Sequence, residues 1–311
     1  MRWKLLVFDN KVGIVTDANL IKKLIHENIT ENVSITFIDT LQSNDVSDVG
    51  IWIQNFDINH LEKFKTNIFF INEEWAGEPE LKNLHRFDYV VCKSKYAQNL
   101  LKPYCDAVCL PFISLNYYDN NVVKSNKTLH FMGRAIQKNT ELVLQQTVPV
   151  TLIDSYNRYR PNSNFTHINK YQTKDELIYL LNSHNTHLCI SLYESWGHYL
   201  FEGLSTGAEI ICSDIPVFRE QLDPELVHFI PTVDKIDLKY VYDHDNIDKK
   251  FPLRKGFYVD PTEFKNKLTT FHPIGKEHER RMMYNDLMSD NQKSLNEFFL
   301  QFVLRTPRIK P

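Results

Sequence analysis

The chain has 311 residues, of which 42% are hydrophobic and 24% are charged, and its formal net charge is −3. This length exceeds the size at which one hydrophobic core usually stops growing, so we expect two globular domains. The small negative charge argues against a protein whose main task is to coat nucleic acid. No apolar run approaches the roughly 20 residues of a membrane-spanning helix. The first residues resemble a β-strand and lack the apolar region of a signal peptide.

The cysteine pattern favours a reducing compartment, and we expect a cytoplasmic protein. The chain has five cysteines, an odd number, and their spacing forms neither a disulfide framework nor a zinc motif. Three of them lie in apolar runs, where cysteine usually acts as a small buried hydrophobic residue: Cys92, Cys189 and Cys212.

The first part of the chain alternates short apolar runs with helical patterns, which is typical of a doubly wound parallel sheet. One helix is predicted over Asp17–Glu27, because its leucines recur on a single helical face, and another over Lys95–Leu101. The predicted strands are Trp3–Phe8, Val33–Ile38, Val49–Ile53, Ile68–Ile71, Tyr89–Cys92 and Ala107–Leu110.

A polar stretch, Asn116–Lys127, interrupts this alternation and predicts a linker between two domains, residues 1–120 and 121–311. The alternation then resumes, so we predict an α/β fold of two Rossmann-like domains that face each other across a cleft. The charged segment Asp234–Lys250 is predicted to be a surface excursion. Glu277–Val303 is predicted to form terminal helices, the last of which packs back on the N-terminal domain. The other predicted strands are Leu129–Met132, Val148–Ile153, Phe165–Ile168, Leu188–Leu192 and Glu209–Cys212, and the helices are Asn139–Gln146, Lys174–Asn182 and His198–Ser205.

The segment from Ser191 to Asp214, SLYESWGHYLFEGLSTGAEIICSD, has the pattern strand, tight loop, helix, glycine, strand. Ligands of parallel sheets bind beyond the carboxyl ends of the strands, where helix N-termini point. Gly207 suits the left-handed position that ends many helices. His198 and Glu202 are four residues apart and project from one helical face. The positive end of the helix and the loop before it predict an anion site formed by Ser195, Trp196, Gly197, His198 and Tyr199.

Glu194 and Glu202 are separated by seven residues that include Gly197, and the continuation GLSTGAEIICSDIPVFRE follows. This pattern resembles the paired-glutamate motif of glycosyltransferase family 4 and its retaining GT-B relatives. The resemblance implies that Glu194 contacts the transferred sugar and that Glu202 holds the ribose hydroxyls of a nucleotide-diphosphate sugar. The alternative is that Glu194 caps the helix and that Glu202 is a solvated helix position.

The segment HFMGRAIQKNTELVLQ resembles a second motif of the family, in which a strand ends in Gly-Arg and a lysine follows before a helix. Gly133, Arg134 and Lys138 fall on this motif, although the lysine is slightly closer than is usual. The resemblance implies that Arg134 and Lys138 neutralise the departing diphosphate with fixed positive charges in place of a metal ion. The alternative is a strand-to-helix turn with two solvated charges. The segment NKYQTKDELIYLL resembles the one that borders the nucleotide base, and Gln172 is predicted to contact the nucleotide there.

The N-terminal half resembles the family less. Family members often carry a histidine after the strand that corresponds to Ile68–Ile71, whereas this chain has Asn72 there. Asparagine can donate a hydrogen bond to a sugar hydroxyl, but it does not titrate near neutral pH. The first loop holds one glycine, Gly13, where the backbone can approach a phosphate. The predicted catalytic set is Glu194, Arg134, Lys138 and Asn72.

One further pattern, Asp243-His244-Asp245, fits the Asp-X-Asp metal motif of GT-A glycosyltransferases. It lies in a charged segment without a nucleotide-binding unit before it in the expected order. We therefore expect a solvated acidic loop and no metal site.

The resemblance implies a retaining, metal-independent hexosyltransferase that uses a nucleotide-diphosphate sugar and no cofactor. A UDP-sugar is the favoured donor and a GDP-sugar the alternative, and the expected acceptor is a hydroxyl group, such as that of a glycan. Two other interpretations stay open. One is a nucleotide-sugar epimerase of the same fold, and the other is a non-catalytic carbohydrate-binding or structural protein.

Overall fold

The structure of the chain is a computed structural model that divides into two compact units. The residues that it describes are 1–8, 13–42, 44–132, 136–170, 172–237 and 251–305. Unit 1 comprises Met1–Ile113, Asp248–Arg254 and Met288–Pro311, and unit 2 comprises Ser114–Ile247 and Lys255–Leu287. Within the described residues, no helix is both long and apolar enough to cross a membrane.

Unit 1 is built on a six-stranded parallel sheet. Its strands are β1 (Trp3–Val7), β2 (Val33–Phe37), β3 (Ser47–Ile53), β4 (Phe64–Phe70), β5 (Tyr89–Cys92) and β6 (Val108–Cys109). They are arranged in the order β2-β1-β3-β4-β5-β6, and all neighbours are parallel. The helices in this part of the chain are α1 (Gly13–Asn28), α2 (Glu78–Lys82) and α3 (Lys95–Leu101).

The apolar runs of unit 1 form these strands because a parallel sheet that is covered on both faces needs continuous apolar sequence. In β1, the side chains of Leu5, Leu6 and Val7 are fully buried. Helix α1 covers the sheet with one apolar stripe at helical spacing. The stripe includes Ile14, Ala18, Ile21 and Ile25.

Unit 2 contains a second six-stranded parallel sheet and an antiparallel hairpin. The sheet strands are β7 (Ser125–Phe131), β8 (Val150–Ile153), β9 (Phe165–Ile168), β10 (His184–Cys189), β11 (Glu209–Ser213) and β12 (His228–Ile230). The hairpin pairs β13 (Thr232–Asp237) with β14 (Lys255–Val259). The helices are α4 (Thr140–Leu144), α5 (Lys174–Ser183), α6 (His198–Ser205), α7 (Pro216–Arg219), α8 (Pro261–Thr269) and α9 (Glu277–Arg305). Helix α9 belongs to unit 1 from Met288 onward.

The strand order of unit 2 is that of a Rossmann fold. The sheet runs β9-β8-β7-β10-β11-β12, so the chain starts at the centre, reaches one edge, and crosses back to build the other half. The predicted fold class, α/β with two parallel Rossmann-like sheets, is confirmed. Gly207 has a φ of +76° directly after α6 and its C-cap, as predicted for a left-handed residue at a helix end.

Several element boundaries differ from those predicted. β10 covers His184–Cys189 instead of Leu188–Leu192, because the apolar residues that follow the strand are buried in a loop. The predicted linker overlaps β7, which begins at Ser125. The C-terminal segment is one helix of 29 residues instead of several. Of the predicted surface excursion, Asp234–Asp237 belong to β13, and residues 238–250 lie outside the described part of the chain.

Candidate functional site

The candidate site lies at the carboxyl edge of the unit 2 sheet, between β7 and β10. The chain leaves these neighbouring strands in opposite directions, since β7 leads to β8 on one side and β10 leads to β11 on the other. Such a reversal leaves a crevice at the carboxyl ends of the two strands, where open α/β sheets bind ligands. Lys138 follows β7, and Glu194 follows β10.

The loop after β7 is joined to the loop after β10 by a main-chain hydrogen bond. Ile136–Lys138 form one turn of 3-10 helix. The carbonyl of Gln137 accepts a hydrogen bond from the main-chain N–H of Leu192 at 2.7 Å. Gly133 and Arg134 lie outside the described residues, so their roles stay predictions.

Glu194 is buried, and its carboxylate accepts hydrogen bonds from three side chains. Lys138 forms an ion pair with Oε1. Nε2 of Gln137 donates to Oε2 at 2.7 Å, and Oγ of Ser191 donates to Oε1 at 2.7 Å. A carboxylate with one cationic and two neutral donors is held in a fixed orientation. The Glu194 side chain is therefore engaged across the crevice, and the N-cap of α6 is Gly197, which has no side chain to cap the helix.

The turn between Glu194 and α6 requires a glycine for two reasons. Gly197 has a φ of +95°, in the left-handed region that L-residues with a side chain rarely adopt. A Cβ at this position would also lie 2.6 Å from Cε1 of Phe218. Gly197 therefore lets α7, which carries Phe218, pack directly against the start of α6.

Helix α6 presents His198 and Glu202 one turn apart, and both side chains are partly exposed. Burial raises the pKa of Glu202, and the nearby charges of His198 and Lys138 oppose this shift. No described residue donates a hydrogen bond to the Glu202 carboxylate. Its two oxygens can therefore accept hydrogen bonds from a pair of adjacent hydroxyl groups.

Other predicted members of the anion site have side chains that are buried in unit 2. The indole of Trp196 stacks on Phe201, with ring centroids 4.3 Å apart, and is 2% exposed. The hydroxyl of Tyr199 donates to the carbonyl of Leu129 at 3.0 Å. Ser195 is also buried. At these positions the main chain is the part that can face a ligand.

Gln172 lies in the loop between β9 and α5, and its side-chain amide donates to the carbonyl of Lys170. The loop ends in a capping box, in which Oγ1 of Thr173 accepts a hydrogen bond from the main-chain N–H of Glu176, and the Glu176 carboxylate accepts one from the main-chain N–H of Thr173. Within the described residues, Gln172 makes no hydrogen bond to Lys138 or Glu194. The structure therefore does not join Gln172 to these two residues.

The predicted residues of unit 1 lie at its own sheet. Asn72 follows β4, and its Nδ2 donates to Oε1 of Gln54 at 2.8 Å. Gln54 follows β3 and has a φ of +63°, which is rare for a residue other than glycine. Gly13 begins α1, and a Cβ there would meet no atom within 4 Å. Packing against the described residues therefore does not require a glycine at position 13.

No group of three or more histidine, cysteine, aspartate or glutamate residues that could hold a metal ion occurs in the part of the chain that the structure describes. Asp243, His244 and Asp245 lie outside that part, so the expectation that they form a solvated loop stays a prediction.

Comparison with solved structures assigns the architecture. Sucrose-phosphate synthase from Thermosynechococcus elongatus matches with a TM-score of 0.66 at 10% identity, over 98% of this chain and 100% of that chain. HepE from Anabaena, in complex with UDP and glucose, matches with a TM-score of 0.63 at 10% identity, again over 98% and 100% of the two chains. The chain has the GT-B fold.

A third GT-B match is the pneumococcal O-GlcNAc transferase GtfA in complex with UDP and GlcNAc, with a TM-score of 0.58 at 11% identity. The match covers 84% of this chain and spans 57% of the length of GtfA. At these identities the likeness shows the fold alone. No protein-family model matches the sequence, and no curated protein matches it significantly.

Three residues that contact Glu194 or Gly197 in unit 2 were not singled out from the sequence: Gln137, Ser191 and Phe218. For the first two, the only signal in the sequence is weak and consists of proximity: Gln137 directly precedes Lys138, and Ser191 lies three residues before Glu194. Phe218 gives no local signal, since its contact with Gly197 depends on how α7 packs.

Proposed function

We propose that the chain is a glycosyltransferase that moves a hexose from a nucleotide-diphosphate sugar to a hydroxyl acceptor. The proposed reaction retains the anomeric configuration and needs no metal ion or cofactor. The observation that carries the proposal is the arrangement of Lys138 and Glu194. They lie in the loops that follow the two strands at the topological switch point, and they form an ion pair there.

Each charged group has a proposed task in the reaction. Arg134 and Lys138 neutralise the diphosphate, on which negative charge accumulates as the sugar leaves. The Glu202 carboxylate accepts hydrogen bonds from the two ribose hydroxyls. Its oxygens can do so because no described residue donates a hydrogen bond to them. The Glu194 carboxylate is held by Lys138, Gln137 and Ser191, and it accepts hydrogen bonds from hydroxyls of the transferred sugar.

The proposed chemical step is attack by the acceptor hydroxyl on the same face of the sugar from which the diphosphate departs. The new bond joins the acceptor oxygen to the anomeric carbon, and the bond from that carbon to the phosphate oxygen breaks. The acceptor proton passes to the departing phosphate, so no protein nucleophile is needed. Glu194 and Glu202 position the donor and form no covalent intermediate.

The donor and acceptor classes are also proposals. A UDP-sugar is favoured over a GDP-sugar, because solved structures of HepE and GtfA with this fold contain UDP. We assign donor binding to unit 2 and acceptor binding to unit 1, where Asn72 supplies an amide for a sugar hydroxyl. The five free cysteines suit a protein of the cytoplasm.

The test is to incubate the protein with a panel of UDP- and GDP-sugars in excess EDTA and to measure the nucleoside diphosphate that is released. We expect release from at least one donor, and the same rate without EDTA. Binding without release would favour a non-catalytic protein, and formation of an epimeric nucleotide sugar would favour an epimerase. Activity that is lost on chelation and restored by manganese would contradict the metal-independent mechanism.

A further inference from the structure

Two side-chain amides form a pair at the carboxyl edge of the unit 1 sheet. Gln54 directly follows β3, and Asn72 lies two residues after the end of β4, the neighbouring strand. Nδ2 of Asn72 donates to Oε1 of Gln54 at 2.8 Å. The main-chain N–H of Gln54 donates to the carbonyl of Phe70, the last residue of β4, also at 2.8 Å. The sheet therefore holds both amides at defined positions within unit 1.

The backbone at Gln54 has an unfavourable conformation for a residue with a side chain. The main-chain N–H of Asn55 donates to the carbonyl of Ile53 at 2.8 Å, which makes Gln54 the central residue of a three-residue γ-turn. Its φ of +63° corresponds to the rare and strained form of this turn. Glycine adopts a positive φ without this strain, but it would remove the amide. Strained residues of this kind are concentrated at functional sites.

The amide pair keeps hydrogen-bonding groups that are open to solvent. Among the residues that the structure describes, no group bonds to Oδ1 of Asn72 or to Nε2 of Gln54. Neither atom belongs to the buried side-chain atoms that lack a partner, so solvent reaches both. Both side chains are partly exposed.

The free groups of the pair are complementary to two neighbouring hydroxyl groups. One hydroxyl donates its proton to Oδ1 of Asn72, and the other accepts a proton from Nε2 of Gln54. If the two amides exchange roles in their mutual bond, one carbonyl oxygen and one amino group still remain free. Phosphate and carboxylate groups are usually bound by cationic side chains, and within the described residues neither amide is bonded to one. The pair therefore suits an uncharged ligand with adjacent hydroxyl groups.

We propose that Gln54 and Asn72 together bind two adjacent hydroxyl groups of the acceptor, which is then a sugar. The proposal rests on the proposed function, because it needs an acceptor that binds at unit 1. It adds Gln54 to the acceptor site and names the chemical class of the acceptor, a hexose with hydroxyl groups on neighbouring carbons.

Binding of simple glycosides tests the pair. The probes are the methyl α- and β-glycosides of glucose, galactose and mannose, and their binding to the UDP-loaded protein is measured by nuclear magnetic resonance titration. We expect the native protein to bind at least one probe. Gln54→Gly and Gln54→Glu should weaken that binding roughly three- to ten-fold, as the loss of one uncharged hydrogen bond does. Glutamate keeps an oxygen that accepts from Asn72 but lacks the Nε2 donor.

Deoxy forms of the bound glycoside identify the hydroxyl groups in contact with the pair. One of the 2-, 3- and 4-deoxy forms should bind the native protein and Gln54→Gly equally, because the hydroxyl that Gln54 serves is already absent. Another should bind the native protein and Asn72→Ala equally, and the two missing hydroxyls should lie on neighbouring carbons. If every deoxy form still binds each variant more weakly than the native protein, neither amide contacts the sugar and the proposal is wrong.

Stability measurements separate this role from a structural one. Gln54→Gly relieves the strained turn, so it should unfold at the same urea concentration as the native protein or at a higher one. Gln42→Glu is the matched control, because it makes the same change at an exposed glutamine of unit 1 and should leave probe binding unchanged. A Gln54→Gly variant that unfolds earlier and binds the probe normally would show that Gln54 is only structural.

The nucleotide site provides the reference for all of these variants. UDP and the UDP-sugar should bind to the Gln54 variants as tightly as to the native protein. A loss of UDP-sugar affinity that matches the loss of probe affinity would assign the pair to the donor and overturn the proposal. If the native protein binds UDP but none of the probes, the assigned class of acceptor is wrong. If it binds neither UDP nor GDP, the proposed function itself fails.

Discussion

At the scale of single residues, Gly197 holds the loop that separates the two glutamates. We predict that Gly197→Ala destabilises the protein by at least about 1–2 kcal/mol, the cost of a left-handed backbone for a residue with a Cβ. The contact with Phe218 at 2.6 Å adds to this cost. The measurement is chemical unfolding, and Gly13→Ala is the matched control. A Cβ added at Gly13 would meet no described atom within 4 Å, so alanine there should change the stability little. Equal stability of Gly197→Ala and the native protein would contradict this account.

Part of the candidate site could be predicted residue by residue. The spacing of Glu194, Gly197 and Glu202 is local, and so is the position of Lys138 before a helix. The partners that hold these residues are not local. Ser114 and Phe218 reach the start of α6 only because the sheet brings separate parts of the chain together. Whether the paired glutamates and Lys138 perform their proposed tasks stays a prediction.

At the scale of elements, a buried cluster of charged residues connects the start of α9 to the amino end of β11. Arg280 pairs with Glu209 at 2.9 Å, and both side chains are 1% exposed. Nε2 of His228 lies 3.2 Å from the second oxygen of Glu209. Burial opposes the ionisation of Glu209, but the hydrogen bond from His228 and the charge of Arg280 leave its pKa below the usual value.

We predict that Glu209→Gln destabilises the protein by up to about 3–5 kcal/mol, because it leaves the Arg280 charge buried without its carboxylate. The measurement is chemical unfolding at neutral pH. Glu78→Gln is the matched control, since the Glu78–Lys82 pair is largely exposed and should contribute little. A Glu209→Gln variant as stable as the control would show that the cluster does not fasten α9.

Strands with a distinct apolar run were predictable even when short, as β5 and β9 show, but other elements were misplaced or missed. Strand β10 was placed too late along the chain, because Ile190 and Leu192 are buried outside any strand. No element was predicted for α7, β12, β14 or α8. Helix α7 has only four residues and strand β12 only three, too few for a periodic pattern to form.

At the scale of the whole molecule, buried histidines make stability depend on pH. Burial lowers the pKa of His130 to about 4 and that of His187 to about 3. In the unfolded chain an imidazole titrates near 6.5. Between these pKa values the unfolded chain binds more protons than the folded chain. The contribution of the neutral imidazoles to the free energy of unfolding is therefore fully present above about pH 6.5 and decreases as the pH falls.

We predict that each of these two imidazoles lowers the free energy of unfolding by up to roughly 1.4 kcal/mol per pH unit below pH 6.5. The measurement is urea unfolding between pH 7.5 and 5. His130→Gln should reduce the pH slope, whereas His272→Gln, which changes an exposed histidine, should not. An unchanged slope in His130→Gln would contradict the assignment.

The architecture of the whole molecule was the most predictable feature, because alternating strands and helices in two series specify two parallel sheets. The order of the strands was not predicted. That order places the loops after β7 and β10 side by side, which the sequence alone could not establish because the two motifs are far apart in the chain.

The central claim is that unit 2 binds a nucleoside diphosphate at this crevice, with Glu202 on the ribose and Glu194 on the sugar. The most direct test is a calorimetric titration of UDP and GDP into the native protein, Glu202→Gln and Glu194→Gln. We predict one site per chain in the native protein and a roughly ten-fold or greater loss of affinity in Glu202→Gln. Glu194→Gln should bind the nucleotide almost as well as the native protein, because its contacts are with the sugar. Failure of the native protein to bind either nucleotide, or a loss confined to Glu194→Gln, would contradict the claim.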